Sequence, residues 1–275
     1  MARVSCMTRP KIDGGRVRQH FSCHATDYDR YAVVQKRVVD GLLDRLRATD
    51  QVAGPVLEVG VGTGVLGQKF ADQYPHLPLV ISDIAHGMTR HAARIVHGAM
   101  PLDADAQSLP FRSKMFGLMV SSSMYQWVND LPRAFAESAR VLKPGGRLAV
   151  ALFGEQTLYE LRDSHRQAVA ECGCSRGSHV QGFPTLGEVC AALQFAGFVD
   201  IRVEMADEIE YHADVPALLR SLKKIGAQNA SSAGPSGLAS RRVMQRMMDI
   251  YRERHGLGGR VPATYQVIYG MGVVR

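Results

Sequence analysis

The feature of this sequence that most constrains its fold is a regular alternation of short β-prone runs with longer helical segments, which begins near residue 56. Strands that alternate with helices predict a parallel sheet covered by helices on both faces. We therefore expect a Rossmann-like, doubly wound α/β fold with a mostly parallel sheet and an antiparallel late strand. The predicted strands are 56–59, 79–83, 103–105, 118–121, 147–152, 199–203 and 264–274, and the predicted helices are 31–47, 65–74, 87–95, 131–142, 158–171 and 186–196.

Two segments do not follow this alternation. The first 47 residues contain an amphipathic helix but no strand signal, and the stretch 215–255 is helical throughout. Open α/β sheets bind ligands beyond the carboxyl ends of their strands, where such additions can cover a site. We predict a single domain, 1–275, with an N-terminal lid (1–47), a cofactor-binding core (56–153) and a helical cap over the acceptor site (215–255).

The composition is that of a folded globular chain, with 46% hydrophobic and 21% charged residues among 275. No uncharged apolar stretch approaches the roughly 18 residues that cross a bilayer, and the first 20 residues lack the apolar centre of a signal peptide. The five cysteines are odd in number, scattered and without a CxxC pair. We expect a cytoplasmic protein with no membrane segment and no metal site.

Positive charge is concentrated late in the chain. Residues 216–260 hold nine Arg or Lys against only Asp249 and Glu253, so this segment alone accounts for the net charge of +7. An acidic partner is expected there. Aromatic residues do not alternate with the basic ones, as single-strand nucleic-acid binders require, so we expect no nucleic-acid partner.

A glycine-rich turn joins the first predicted strand to the helix after it. It reads Glu58-Val-Gly60-Val-Gly62-Thr-Gly64. Glycines allow a tight turn and let a ligand approach the backbone. A dinucleotide fingerprint needs the spacing G-x-G-x-x-G, whereas here the third glycine comes one residue early and the carboxylate of Glu58 precedes the first. Both observations argue against NAD.

Acidic residues stand at three successive strand ends, and their order suits S-adenosylmethionine. Glu58 can face the methionine amine directly or through water, Asp83 can accept hydrogen bonds from both ribose hydroxyls, and Asp105-Ala106 can receive the adenine amine. Each of the three could instead cap a loop or a helix. The full set favours the cofactor.

These residues resemble the cofactor site of the class I S-adenosylmethionine-dependent methyltransferase family. Segments 109–111, 116–121 and 140–146 resemble the family's successive downstream motifs. The resemblance implies S-adenosyl-L-methionine as cofactor, with S-adenosyl-L-homocysteine as its product, and it places Ser121 at the cofactor. Gly117 stands where the family usually has Asp.

Further segments of the chain resemble one branch, the malonyl-acyl-carrier-protein O-methyltransferase family of biotin synthesis. The resemblance covers about residues 16–272 and is most specific at 219–227. It implies O-methylation of the free carboxyl of malonyl carried on acyl carrier protein, or on coenzyme A, to give the methyl ester used in pimeloyl and biotin synthesis. The other matching segments are 21–29, 32–35, 126–127, 153–161 and 264–265.

Four residues are candidates for contacts near the acceptor. We expect Tyr28 of the lid to reach the methionine carboxylate, Gln126 and Trp127 to line the acceptor channel, and Tyr265 to donate its hydroxyl to the acceptor. Tyr28, Trp127 and Tyr265 could instead be packing residues. At 181–182 the family pattern leads us to expect Asn and Arg, but this chain has Gln181 and Gly182.

The acceptor chemistry needs no proton transfer. A malonyl carboxyl, with a pKa near roughly 4, is already ionised at neutral pH, so we expect no general base and assign no catalytic residue. Its charge still needs a partner. Arg220 and Lys223 are candidates because a spacing of three places them on one helix face. The alternative is a solvated basic face.

Other functions remain open on the sequence alone. Within enzymes, the rivals are methylation of another small carboxylate, such as trans-aconitate, or of a quinone carbon. A less favoured alternative is a nucleic-acid binding module that uses the basic segment 216–260.

Overall fold

The computed structural model describes residues 12–24, 28–48, 52–173, 182–225 and 241–275. These residues build one seven-stranded sheet with the order β3-β2-β1-β4-β5-β7-β6. The strands are β1 (Val56–Val59), β2 (Leu79–Asp83), β3 (Met100–Asp103), β4 (Phe116–Ser122), β5 (Leu142–Phe153), β6 (Phe198–His212) and β7 (Val261–Val274). The helices are α1 (Gly14–His24), α2 (Tyr28–Tyr31), α3 (Val33–Arg47), α4 (Val65–Gln73), α5 (His86–Ala92), α6 (Leu131–Val141), α7 (Tyr159–Glu171), α8 (Leu186–Phe195), α9 (Val215–Lys224) and α10 (Arg241–His255).

The topology confirms the doubly wound α/β prediction. Strand β1 pairs in parallel with β2 on one side and with β4 on the other, and β5 continues the parallel sheet beyond β4. Strand β7 runs antiparallel between β5 and β6. The chain therefore reverses its winding between β1 and β4, and the carboxyl ends of these two strands open onto a crevice where α/β sheets bind ligands.

Both faces of the central strands are buried, and these strands divide their side chains between the two faces. In β4, Leu118 and Val120 belong to the core that contains α3, α4, α7, α9 and α10. Met119 belongs to the core on the opposite face, which α6 and α8 cover. This alternation follows from the two-residue period of a strand. It explains why the central strands read as continuous apolar runs.

The segments predicted as lid and cap are divided by the structure. Helix α3 buries Val34, Val38 and Leu42 against the sheet and is a layer of the core rather than part of a lid. Of the described N-terminal helices, α1 and α2 are left to cover the crevice. Helix α9 packs against α2, whereas α10 lies mainly along α7. The two helices of the predicted cap contact each other and share one core, but α9 makes the main contact with the lid helix α2.

Two strands, β5 and β6, extend furthest beyond their predicted ranges. β6 continues to His212 instead of ending at 203, because it pairs with β7 from Phe198↔Val274 to His212↔Val261. At this sheet edge, acidic residues alternate with apolar ones, so no continuous apolar run marks the strand. β5 begins at Leu142 instead of 147 and passes a register irregularity against β4.

None of the helices in the described part of the chain is both long enough and apolar enough to cross a bilayer.

Candidate cofactor and acceptor site

A cavity lies at the carboxyl ends of β1, β2 and β4, beneath α1 and α2. The sequence-predicted cofactor residues that line it are Tyr28, Glu58, Gly60, Gly62, Asp83, Asp105 and Ala106. The acceptor candidate Trp127 lines it too. Residues from three strand ends and from the N-terminal helices therefore meet around one space.

The glycine turn after β1 has a left-handed backbone that leaves the cavity floor open. Gly60 has φ of 76°, and a Cβ there would lie 2.3 Å from Cγ of Met124. Gly62 has φ of 55°, and a Cβ there would meet no protein atom within 4 Å. Gly64, with φ of 94°, caps the start of α4. A ligand can therefore approach the backbone most closely at Gly62.

Glu58 is a buried carboxyl group whose second oxygen has no partner. The residue is 1% exposed, and its Oε2 makes no hydrogen bond within the described structure. Burial, together with the nearby charge of Asp83, raises the pKa of Glu58 well above its usual range. An unpaired buried polar group is costly, and a cation delivered to it removes that cost. The methionine ammonium of S-adenosylmethionine fits this position.

Asp83 ends β2 with both carboxylate oxygens held in place. Oδ2 accepts from the backbone N–H of Gly62 at 3.0 Å, and Oδ1 accepts from that of Ala85 at 2.8 Å. Burial raises the pKa of Asp83, while these backbone donors act in the opposite direction. Each oxygen keeps further lone-pair capacity toward the cavity. A pair of ribose hydroxyls fits such an acceptor.

Asp105 and Ala106 lie farther along the same rim. Oδ1 of Asp105 accepts from the backbone N–H of Gln107 at 2.8 Å, which fixes the carboxylate in the turn after β3. Ala106 is 5% exposed. Both line the cavity, as does Gln107. The third acidic position predicted from the sequence thus lies with the other two, and the cavity residues fit S-adenosylmethionine as a set.

The short helix α2 is tied directly to the glycine turn. Oγ1 of Thr63 donates to Oδ1 of Asp29 at 2.6 Å, and Nζ of Lys36 donates to the carbonyl of Asp29 at 2.7 Å. Beside Asp29, Tyr28 has a pKa raised first by burial and then by the charges of Asp29 and Asp83. Our reading of the sequence missed Asp29, Thr63 and Lys36 as cavity residues. Asp29 and Thr63 each lie next to a residue that it did select.

Helix α1 completes the cover. The ring of Phe21 meets Trp127 edge to face at 5.3 Å. The backbone of Ile12 exchanges two hydrogen bonds with the side-chain amide of Asn129, at 2.7 and 2.9 Å. These contacts hold the N-terminal segment against the loop that follows β4.

The structure does not bring Ser121 to the cavity. Its Oγ donates to the carbonyl of Val59 at 2.6 Å, and the residue is fully buried within the sheet. Ser122 and Ser123 line the cavity instead, and the hydroxyl groups of both are buried without a partner in the described structure. Successive side chains of a strand point to opposite faces of the sheet, so Ser121 points away from the cavity that its neighbour Ser122 lines.

Two acceptor candidates are buried outside the cavity lining. Gln126 is 4% exposed, donates to the carbonyl of Ser123 at 2.7 Å and accepts from the N–H of Phe153 at 3.4 Å. Tyr265 is also 4% exposed and packs against Phe153 with ring centroids 5.4 Å apart. Burial raises the pKa of Tyr265, and neither residue is among those that line the cavity. Gln126 contacts the cavity lining through Ser123.

Arg220 and Lys223 are exposed on α9 and line a separate surface depression. They are not among the residues around the cavity, so the structure does not support their contact with an acceptor carboxylate there. The one cationic side chain among the described cavity residues is Lys36.

The two departures from the family pattern are placed differently. At Gly117, an added Cβ would lie 2.6 Å from the carbonyl oxygen of Ala53, so this chain has no room there for the usual Asp. Of the pair at 181–182, Gly182 is exposed, and Gln181 lies outside the described residues.

Comparison with known protein families agrees with this geometry. A family described as a methyltransferase domain matches residues 57–150. Among solved structures, the YcgJ protein of Bacillus subtilis superimposes with a TM-score of 0.59 at 17% identity, over 85% of this chain and 97% of its own. Phosphoethanolamine N-methyltransferase 2 of Haemonchus contortus, solved with S-adenosyl-L-methionine, superimposes with a TM-score of 0.53 at 17% identity, over 86% of this chain and 52% of its own. At these identities the likeness shows the fold.

Curated relatives are much more similar in sequence. A malonyl-[acyl-carrier protein] O-methyltransferase of Geobacter sulfurreducens is 46% identical over 95% of this chain and 99% of its own length. One from Nitrosospira multiformis is 33% identical over 94% and 88%. The biotin biosynthesis bifunctional protein BioHC of Saccharophagus degradans is 33% identical over 94% of this chain and 46% of its own. This chain therefore belongs to the malonyl-[acyl-carrier protein] O-methyltransferase family.

Proposed function

We propose that this protein transfers a methyl group from S-adenosylmethionine to the free carboxyl of a malonyl thioester carried on acyl carrier protein. The product is the malonyl methyl ester, which serves pimeloyl and biotin synthesis. The observation that carries the proposal is the buried carboxyl group of Glu58, whose Oε2 has no partner among the described residues, in the lining of a cavity that also presents Asp83 and Asp105. Family membership, at 46% identity to a curated relative, supports the same acceptor.

The cofactor would be held by residues from three strand ends. Glu58 would face the ammonium, Asp83 would accept from the ribose hydroxyls, and Asp105 with Ala106 would border the adenine. When bound, S-adenosylmethionine would supply a methyl group carried on a sulfonium sulfur. A carboxylate oxygen can accept this methyl group directly because it is already deprotonated, and S-adenosylhomocysteine is the leaving group. The open backbone at Gly62 lets the cofactor lie against the turn.

No side chain needs to act as a base in this reaction. A malonyl carboxyl is ionised at neutral pH because its pKa is near roughly 4. The protein's contribution is to hold the acceptor oxygen in line and to exclude water, which α1 and α2 do by covering the cavity. Lys36 offers a positive charge inside this space, and its Nζ has donors to spare beyond the bond to Asp29. We therefore assign the carboxylate partner to Lys36.

Methyl transfer to three acceptors tests the proposal. Radiolabelled S-adenosylmethionine is supplied with malonyl carrier protein, malonyl-coenzyme A or free malonate. We expect the carrier protein to be the best acceptor and the coenzyme A thioester, which presents the same carboxylate, to react more weakly. Equal transfer to free malonate would instead favour a methyltransferase for small carboxylates. If methyl is transferred neither to malonyl carrier protein nor to malonyl-coenzyme A, the proposal is wrong.

A further inference from the structure

A second concave surface lies between the lid and the cap helix α9. It is formed by α2, the end of β6 and one face of α9. Its charge is strongly one-sided, because four cationic side chains face a single carboxylate, that of Glu210. Ser221 adds a hydroxyl group. The cations are Arg30, Arg220, Lys223 and Lys224.

Two of these cations are available to a ligand. Arg220 and Lys223 are exposed, lie three residues apart on one face of α9, and have no ion pair recorded with another described residue. The carboxylate on this surface has only a long local contact, since Oε2 of Glu210 lies 3.5 Å from Nε2 of His212, a ring nitrogen that makes no hydrogen bond within the described structure. Among the described residues, the charges of Arg220 and Lys223 are therefore left unpaired by the protein around them.

Helix α2 separates this depression from the cofactor cavity. Tyr28 and Asp29 face the cavity, whereas the next two residues, Arg30 and Tyr31, face the depression. A helix with its side chains is about 10 Å across. An anion bound in the depression is thus one helix width from the covered site, a distance that a flexible prosthetic arm can bridge.

We propose that this depression binds the phosphate of the phosphopantetheine arm that carries the malonyl group. The proposal rests on the proposed function, since it concerns a second contact with the same substrate. Guanidinium and ammonium groups form charge-assisted hydrogen bonds to phosphate oxygens, and Arg can do so with two parallel bonds. The malonyl carboxylate is excluded as the occupant, because Arg220 and Lys223 do not line the cavity where methyl transfer takes place.

Three acceptors that differ in this phosphate test the proposal: malonyl carrier protein, malonyl-phosphopantetheine and malonyl-pantetheine, which has no phosphate. In the double variant Arg220→Ala/Lys223→Ala, we expect KM to rise about tenfold for the first two and to stay unchanged for malonyl-pantetheine, with kcat retained for all. The rise in KM should become smaller at high salt, because salt screens the attraction between the two cations and the phosphate.

The matched control removes the same charge from the other edge of the sheet. Arg90 and Arg94 are exposed on and just after α5, which packs against β2 and β3, far from β6 in the strand order. The variant Arg90→Ala/Arg94→Ala should leave all three KM values unchanged. A binding titration of phosphopantetheine and pantetheine to each variant repeats the comparison without turnover.

The possible outcomes are distinct. A rise in KM confined to the carrier protein would show that the depression docks the carrier's acidic surface and would overturn the phosphate assignment. An equal rise in KM for all three acceptors, or no change for any of them, would overturn it as well. If wild-type protein methylates none of them, the proposed function fails. The titration then still decides whether Arg220 and Lys223 bind phosphopantetheine more tightly than pantetheine.

Discussion

Glu58 connects stability and cofactor binding in one side chain. Its carboxyl is 1% exposed, its Oε2 has no partner in the described structure, and its pKa is raised mainly by burial. In the ligand-free protein, this group destabilises the fold whenever it is ionised. In the complex it would face the methionine ammonium. The same residue therefore opposes folding and favours binding.

Glu58→Gln should separate the two effects. The unfolded carboxyl titrates near 4.5, and the folded one titrates higher, so wild-type stability falls as pH rises above that value. Gln does not titrate. We expect the ligand-free variant to melt at a higher temperature than wild type at about pH 8, with the difference shrinking toward about pH 5. S-adenosylmethionine affinity should fall about 10- to 100-fold.

Thermal melts at several pH values and binding calorimetry check this prediction. If the variant is less stable than wild type at the higher pH and binds the cofactor equally well, then Glu58 is a structural residue and the ammonium assignment is wrong.

Gly62→Ala tests the close approach of a ligand to the glycine turn. Gly62 and Gly98 both have positive φ, 55° and 79°, and a Cβ at either would meet no protein atom within 4 Å. Alanine at either position should cost about 1–2 kcal/mol of backbone strain. Only Gly62 lines the cavity, so only Gly62→Ala should lose cofactor affinity. Calorimetry showing equal affinity for both variants would place the cofactor elsewhere.

Single residues were predictable where backbone geometry demands a residue type. The left-handed turn needs glycine at Gly60 and Gly62, and the spacing of Glu58 and Asp83 follows from the strand ends. The position of Ser121 could not be predicted in this way. Residues 121–123 are all serines, and only the orientation of the strand decides which of them faces the cavity.

Among the elements, α2 has the most direct effect on the site. It is four residues long, and the hydrogen bond from Thr63 to Asp29 joins it to the glycine turn. Lys36 of α3 braces the same residue through its backbone carbonyl. The turn that receives the cofactor and the helix that covers it are therefore coupled, and loosening one should loosen the other.

Asp29→Ala and Thr63→Val test this coupling as a double-mutant cycle. Each should weaken S-adenosylmethionine binding by about 0.5–1.5 kcal/mol, and the double variant should be no weaker than either single one, because both remove the same hydrogen bond. Asp40→Ala is the matched control: Asp40 pairs with Lys69 of α4, outside the cavity. Additive losses in the cycle would show that Asp29 and Thr63 act separately.

Helices and buried strands followed from the sequence more closely than the edge of the sheet. The spacing of Val34, Val38 and Leu42 predicts α3 but not its neighbour. The helix packs on the sheet with this face, and its residues Lys36 and Val39 line the cavity. The end of β6 was missed because an edge strand needs no continuous apolar run. Arg220 and Lys223 share a helix face as predicted, but the orientation of α9 against α2 sends that face to a different surface.

Across the whole protein, the cavity and the family relationship together point to a carboxylate oxygen as the atom that accepts the methyl group. The cofactor side rests on the strand ends around Glu58, Asp83 and Asp105, and the acceptor side rests on the space beneath α1 and α2, where Lys36 is the one cation among the described cavity residues. The family relationship agrees with this acceptor, since curated relatives are named as malonyl-[acyl-carrier protein] O-methyltransferases.

The most direct measurement is the mass of the carrier protein after reaction. Malonyl carrier protein and acetyl carrier protein, which lacks the free carboxyl, are each incubated with the enzyme and methyl-deuterated S-adenosylmethionine. We predict that only the malonyl form gains one labelled methyl group and that fragmentation of its acyl arm in the mass spectrometer releases the label as methanol, as a methyl ester does. A labelled acetyl form, or a malonyl form whose label is not released as methanol, would contradict carboxyl O-methylation.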